Sequence, residues 1–195
     1  MQLLTTQDPM QAAHWLTQAK LLSYPTESVW GVGVDPMDPA AFEHLLKAKG
    51  RDADKGVILI ASTPEQLDPL LNWSEAQREQ ALSLWSEANS CTDLKTAQAL
   101  TLVVPASRRA PAWLKGAHQA LAVRLTAHPL CQALCDAFGG PVVSTSANRS
   151  GEPAALSLAA AQVCFGERSC YLEGDTLGYA KPSRLIDLVT GAQLR

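Results

Sequence analysis

Pro141-Val-Val-Ser-Thr-Ser-Ala-Asn-Arg-Ser-Gly151 is the stretch whose reading decides the fold class. Val142 and Val143 form too short an apolar run for a helix and fit the end of a buried strand. The run stops in Ser144, Thr145, Ser146 and Asn148, side chains with little bulk and much hydrogen-bonding capacity. Such residues favour turns and helix starts, where backbone N–H groups stay free. A loop of this kind at the carboxyl end of a strand is where α/β sheets bind ligands. Read alone, the same residues also fit a solvated turn or a helix cap.

The flanking sequence alternates helix and strand signals. Asp8-Pro9 and Asp38-Pro39 each place a capping carboxylate before a proline at the first helical position. The first predicts a helix to about Ala19. The second predicts a helix carrying Phe42, Leu45 and Leu46 that delivers Lys47 and Lys49 at its end. Ser74-Glu-Ala-Gln77 is a capping box opening a helix towards Trp85. Further helices are expected over Pro129–Phe138, ended by Gly139, and over Leu156–Phe165. Strands are expected at Leu21–Tyr24, Val57–Ala61, Leu100–Val104, Leu121–Leu125 and Leu185–Val189. The unbroken apolar run at Val57–Ala61 marks a strand covered on both faces. This alternation predicts an α/β fold, a single domain over 1–195 with one mixed sheet and flanking helices.

Composition excludes several function classes. No stretch approaches the roughly 20 apolar residues of a membrane span. The start, Met1-Gln-Leu-Leu-Thr-Thr-Gln-Asp8, lacks the basic and apolar pattern of a secretion leader, so a cytoplasmic protein with no membrane contact is expected. The five cysteines, Cys91, Cys131, Cys135, Cys164 and Cys170, show no Cys-x-x-Cys spacing and read as reduced thiols. His14, His44, His118 and His128 share no metal spacing, and no protein-bound metal is expected. A net charge of −3 disfavours a surface that grips nucleic acid throughout. Positive charge is nevertheless clustered at Lys47, Lys49, Arg51 and Lys55, and again at Arg108, Arg109 and Lys115.

Lys49 and Arg51 stand at i and i+2, a spacing that points both side chains one way if the segment is extended. Arg supplies a rigid fork for phosphate oxygens and Lys a mobile point charge. A solvated helix end is the plainer reading of the same residues. Arg124 interrupts an apolar strand and needs a partner, either a ligand carboxylate or an internal acid. Thr26, after Pro25, either meets a ligand or caps a helix containing Val29 and Trp30.

Four phrases occur in order: Tyr24-Pro-Thr-Glu-Ser-Val-Trp-Gly-Val-Gly-Val-Asp35, Lys47-Ala-Lys-Gly-Arg-Asp-Ala-Asp-Lys-Gly-Val-Ile-Leu-Ile60, Ala122-Val-Arg-Leu-Thr-Ala-His-Pro129, and the Ser-Thr-Ser-Ala-Asn loop. Together they resemble the YrdC-like family of threonylcarbamoyl-AMP synthases, from about Leu21 to the C-terminus. The resemblance implies a twisted α/β fold with one large concave cavity. It implies a reaction joining L-threonine, bicarbonate and ATP into threonylcarbamoyl-adenylate and pyrophosphate, with Mg2+ carried in on ATP. On the family's pattern, ATP would meet Lys49, Arg51, Lys55, Thr101, Ser144, Ser146, Asn148 and Arg184, and threonine would meet Thr26, Arg124 and Ser183. The product would pass to tRNA threonylcarbamoyl-transfer proteins. The other reading of the fold is a non-catalytic module binding double-stranded RNA, tRNA or a nucleotide.

The chain departs from the family at Asp52, where many relatives have Pro, and more extensively before the strand at Leu100. Relatives carry a tight Trp-Pro-Gly-Pro turn before the strand at Leu100, whereas here Trp85 and Thr101 are separated by a polar, Ala-containing segment. Ser86 to Ala99 has no Pro or Gly and only Leu94 as a large apolar residue, so the segment is expected to be a mobile flap over the nucleotide.

Overall fold

The computed structural model describes residues 3–195; Met1 and Gln2, the first residues of the stretch read for a leader, lie outside it. In chain order the elements are β1 (Thr5–Thr6), α1 (Pro9–Thr17), β2 (Leu21–Pro25), β3 (Trp30–Gly33), α2 (Pro39–Lys49), β4 (Ile58–Ala61), α3 (Glu75–Asn89), β5 (Leu100–Pro105), α4 (Ala112–Lys115), β6 (Ala120–Leu125), α5 (Pro129–Phe138), β7 (Val142–Ser146), α6 (Leu158–Phe165), β8 (Ser169–Leu172) and β9 (Arg184–Asp187). The capping signals act as read. Asp8 accepts from the Met10 amide, Asp38 from those of Ala40 and Ala41, and Ser74 and Gln77 close a capping box.

Among the described residues, nine strands form one mixed sheet in the order β1-β8-β2-β3-β7-β4-β6-β5-β9. The strand begun by Val142 is central: β7 pairs antiparallel with β3 on one side and β4 on the other. It runs on through Ser146, so Ser144, Thr145 and Ser146 are strand residues rather than loop residues. Trp30 begins β3 and Val29 stands in the bend before it, so neither is in a helix, and β2 and β3 form an antiparallel pair. The hydrophobic pattern of Trp30-Gly-Val-Gly33 is too short to show a strand; pairing on both sides stabilises it. The last strand ends at Asp187, leaving Val189 exposed, and α6 starts after Leu156 because Ser157 caps it.

Side chains alternate across a strand, and here the two faces have different fates. One face carries Val32, Leu59, Leu102, Val123 and Val143 into a core with Phe42 and Leu45 of α2, Trp85 of α3 and Phe165 of α6. On the other face, Leu22, Tyr24, Ile60 and Val142 pack under α1 and α5 through Leu16, Cys131, Leu134 and Cys135. Next to these helices that face carries Gly31, Ile58, Val103, Ala122 and Ser144, which line a cavity instead of packing under a helix. Mostly small residues at these positions hollow the surface. Gly33 marks where strands come closest: a Cβ there would fall 1.7 Å from the Val143 carbonyl oxygen.

Candidate functional site

The cavity has a volume of about 810 Å³ and crosses six neighbouring strands, β3, β7, β4, β6, β5 and β9. Of the residues singled out in the sequence, Thr26, Arg51, Lys55, Arg124, Ser144, Ser146, Asn148 and Ser183 line it. Lys49, Thr101 and Arg184 do not.

At one end Arg124 rises from β6 as the mid-strand cation. Its Nη1 meets Glu27 Oε2 at 3.2 Å, an internal acid of the kind an apolar strand requires. Glu27 is fully buried. Its Oε1 accepts from the Thr126 hydroxyl at 2.7 Å and the Ala127 amide at 3.0 Å. Burial pushes this carboxyl up, but the Arg124 guanidinium and these donors outweigh it, and the net direction is down. Arg124 Nε has no partner within the protein, so the ion pair leaves part of the guanidinium uncommitted. Arg124 therefore has the internal partner, and it also lines the cavity. Thr26 closes the turn between β2 and β3, its hydroxyl donating to the Val29 carbonyl at 2.7 Å. Ser183 reaches the cavity just before β9, and Thr101 stands behind it, buried, with its hydroxyl 3.0 Å from that of Ser183.

Cations gather at the other end. Arg51, Lys55 and Lys115 line the cavity there, beside His118. Arg51 Nη2 donates to the Gly56 carbonyl at 2.8 Å, which fixes the fork, while its Nε is buried without a partner. The expected extended Lys49-x-Arg51 geometry is not formed. Lys49 is the last residue of α2, and Gly50, left-handed at φ 59°, turns the chain before Arg51. The Lys49 side chain runs beneath the Ser146–Asn148 loop and donates to the carbonyls of Ser146 and Asn148 and to Asn148 Oδ1. Asn148 is further held by the Ser146 hydroxyl at 2.6 Å and by its own donation to the Glu152 carbonyl at 2.6 Å. Lys49 thus braces the serine-rich loop from below.

Arg184 is displaced by the period of its strand: Leu185 and Asp187 line the cavity, so Arg184 does not. Arg195 lies there instead, with Nη2 3.1 Å from Ser183 Oγ. Glu27 and Arg195 went unassigned in the sequence. Glu27 had a legible signal, since a mid-strand arginine requires an acid and Glu27 sits inside the first phrase.

The expected flap over the nucleotide is overturned. Ser86 to Asn89 continue α3, and the Ser90 amide still donates to the Ser86 carbonyl. No residue of 86–99 lines the cavity. Ala97 and Ala99 are buried against Tyr179. Two of the small residues that suggested looseness, Ala97 and Ala99, pack with Tyr179 and Leu177, while Thr92 to Thr96 are exposed. Among the described residues, no group of three or more His, Cys, Asp or Glu is placed to hold a metal ion, and no helix is long and apolar enough to cross a membrane.

A Sua5/YciO/YrdC family model, described as Telomere recombination, matches residues 14–195. A threonylcarbamoyl-AMP synthase of Chromohalobacter salexigens is 46% identical over 181 residues, covering 92% of this chain and 92% of that protein. Another from Acinetobacter baylyi is 43% identical over 195 residues, covering 99% of each. Among solved structures, P. abyssi Sua5 complexed with L-threonine superposes with a TM-score of 0.83 at 28% identity over 99% of this chain. This chain spans 56% of the Sua5 chain. E. coli YciO superposes with a TM-score of 0.77 over 100% of this chain and 94% of its own; at 19% identity this likeness concerns the fold.

Proposed function

The chain belongs to the Sua5/YciO/YrdC family, and from that premise we propose that it is a threonylcarbamoyl-AMP synthase. It joins L-threonine, bicarbonate and ATP into L-threonylcarbamoyladenylate and pyrophosphate. One observation carries the reading: a partnered but uncommitted arginine and a cluster of cations line opposite ends of a single cavity. An amino-acid carboxylate suits the first, and a triphosphate suits the second.

The chemistry asks mainly for positioning and charge stabilisation. The threonine amine takes up the carbon of bicarbonate with loss of water. A carbamate oxygen then attacks the α-phosphorus, the bond to the β-phosphate oxygen breaks, and pyrophosphate leaves. Arg124, Thr26 and Ser183 receive threonine. Arg51 and Lys55 face the phosphates, and Mg2+ enters as part of the ATP substrate. Ser144, Ser146 and Asn148 face the nucleotide between the two ends. Lys49 and Thr101 act through their neighbours, and Arg184 has no part in the site. The adenylate product is consumed in the cytoplasm by tRNA threonylcarbamoylation.

Pyrophosphate release by the purified protein tests this. Release that requires both L-threonine and bicarbonate is expected; equal turnover without threonine overturns the reading.

A further inference from the structure

Glu27 does not itself line the cavity, and of its two buried carboxylate oxygens only Oε1 is hydrogen-bonded. Oε1 is taken by Thr126 Oγ1 and the Ala127 amide, which leaves Oε2 for Arg124 Nη1. The backbone is fixed too: the Glu27 carbonyl accepts from the Tyr179 amide at 3.0 Å, and that of Thr26 from the Leu177 amide at 3.3 Å. The acid is therefore immobile and fully desolvated, and it holds the guanidinium by one terminal nitrogen only.

A guanidinium offers a carboxylate two parallel N–H bonds along either of two edges, Nε with Nη2 or Nη1 with Nη2. A group held at Nη1 takes up the second edge and leaves the first. Glu27 Oε2 faces Nη1 as an ion pair at 3.2 Å that is not a hydrogen bond, and Arg124 Nε is buried without a partner. From this geometry we propose that Glu27 is a positioning residue that turns the free edge of Arg124 towards the substrate carboxylate. The inference rests on the synthase reading for the identity of that carboxylate.

Two effects of Glu27 oppose each other. Its negative charge repels a second carboxylate, while its grip orients the cation that binds it. The surroundings decide between them. Arg124 is 7% exposed and, among the described residues, has no other acid paired with it. Without Glu27 it becomes an unpaired buried cation, which turns towards water or shifts the strand. Loss of orientation outweighs the relief of repulsion, and the sign of the effect on threonine affinity reports which one dominates.

The test is titration calorimetry of full-length wild type, Glu27→Gln and Thr126→Val with L-threonine, L-threonine amide and ATP. Glu27→Gln keeps the Oε1 acceptor but removes the charge facing Arg124. Threonine affinity is expected to fall tenfold or more and ATP affinity to stay within about twofold. The preference for threonine over its amide should shrink by a similar factor, since only the acid uses the arginine edge. Thr126→Val, which loosens the carboxylate without neutralising it, should lower threonine affinity and the preference for the acid over the amide by less, with ATP affinity again unchanged. Tighter threonine binding in Glu27→Gln, or an acid-to-amide preference equal to that of wild type, overturns the proposal. If Glu27→Gln does not fold, an unchanged preference in Thr126→Val overturns it alone. A wild type that binds threonine yet releases no pyrophosphate overturns the synthase reading and leaves the Glu27 comparison standing on the binding data.

Discussion

The ammonium of Lys49 lies 2.7 Å from the Asn148 carbonyl oxygen, buried at the end of α2 beneath the loop that follows β7. A cation that ends a helix is thereby joined to a loop about a hundred residues later. Removing it leaves the Ser146 and Asn148 carbonyls without this donor. Lys49→Ala should therefore destabilise the protein by about 1–3 kcal/mol, the cost of stranded buried acceptors. Its unfolding midpoint in urea checks this, and a midpoint equal to wild type would place Lys49 among surface charges.

Arg51→Ala and Arg124→Ala should separate the two ends of the cavity. Charge-assisted hydrogen bonds contribute roughly 1.5–3 kcal/mol each, so each loss should cost tenfold or more for one ligand. Arg51→Ala is expected to weaken ATP binding and spare threonine, and Arg124→Ala the reverse. Calorimetric titration of both ligands into both variants decides it; identical effects would refute the division.

Gly33→Ala should abolish soluble expression or cost about 3 kcal/mol or more. The added Cβ would meet the backbone oxygen of Val143, which no rotamer change relieves. Normal expression with an unchanged thermal midpoint would show that β3 and β7 move apart easily.

Alkaline stability follows from the thiols under α1 and α5. Burial pushes Cys135 up from 9.0 to about 12, with Asp136 adding to the shift, and Cys131 rises in the same direction. A raised folded value means that the unfolded chain loses the proton first. The native state therefore holds its full advantage below pH 9 and loses it between pH 9 and 12. The slope is about 1.4 kcal/mol per pH unit per thiol. Cys135→Ala should be less stable at pH 7 and show a shallower loss across that window, read from urea midpoints at successive pH values. Parallel curves would mean that this thiol ionises equally in both states.

Hydrogen exchange should find the Ser86–Ser90 amides protected in the free protein, with no change on adding ATP and threonine. These residues form the last turn of α3, away from the cavity. Rapid exchange that slows with ligand would restore the flap.

Much of this molecule was written in short-range signals. Asp8-Pro9, Asp38-Pro39, the Ser74–Gln77 capping box and Gly139 set helix ends through contacts spanning a few residues, and such contacts are legible wherever they occur. The apolar runs at Val57–Ala61, Leu100–Val104 and Leu121–Leu125 declared strands, which form as β4, β5 and β6. Local patterns, together with the four ordered phrases, were enough for the α/β class and for most of the residues that meet in the cavity. What only the tertiary structure decided was direction. Arg184 lies off the cavity because β9 alternates. Lys49 turns under the loop because Gly50 ends α2 in the left-handed region. Glu27 finds Arg124 nearly a hundred residues away because β6 carries the arginine past the turn after β2. Ala97 and Ala99, before Leu100, are packed because Tyr179 covers them. Each depends on a strand's register or on a partner distant in sequence, and a residue's neighbours along the chain do not encode which face it presents once the sheet has formed.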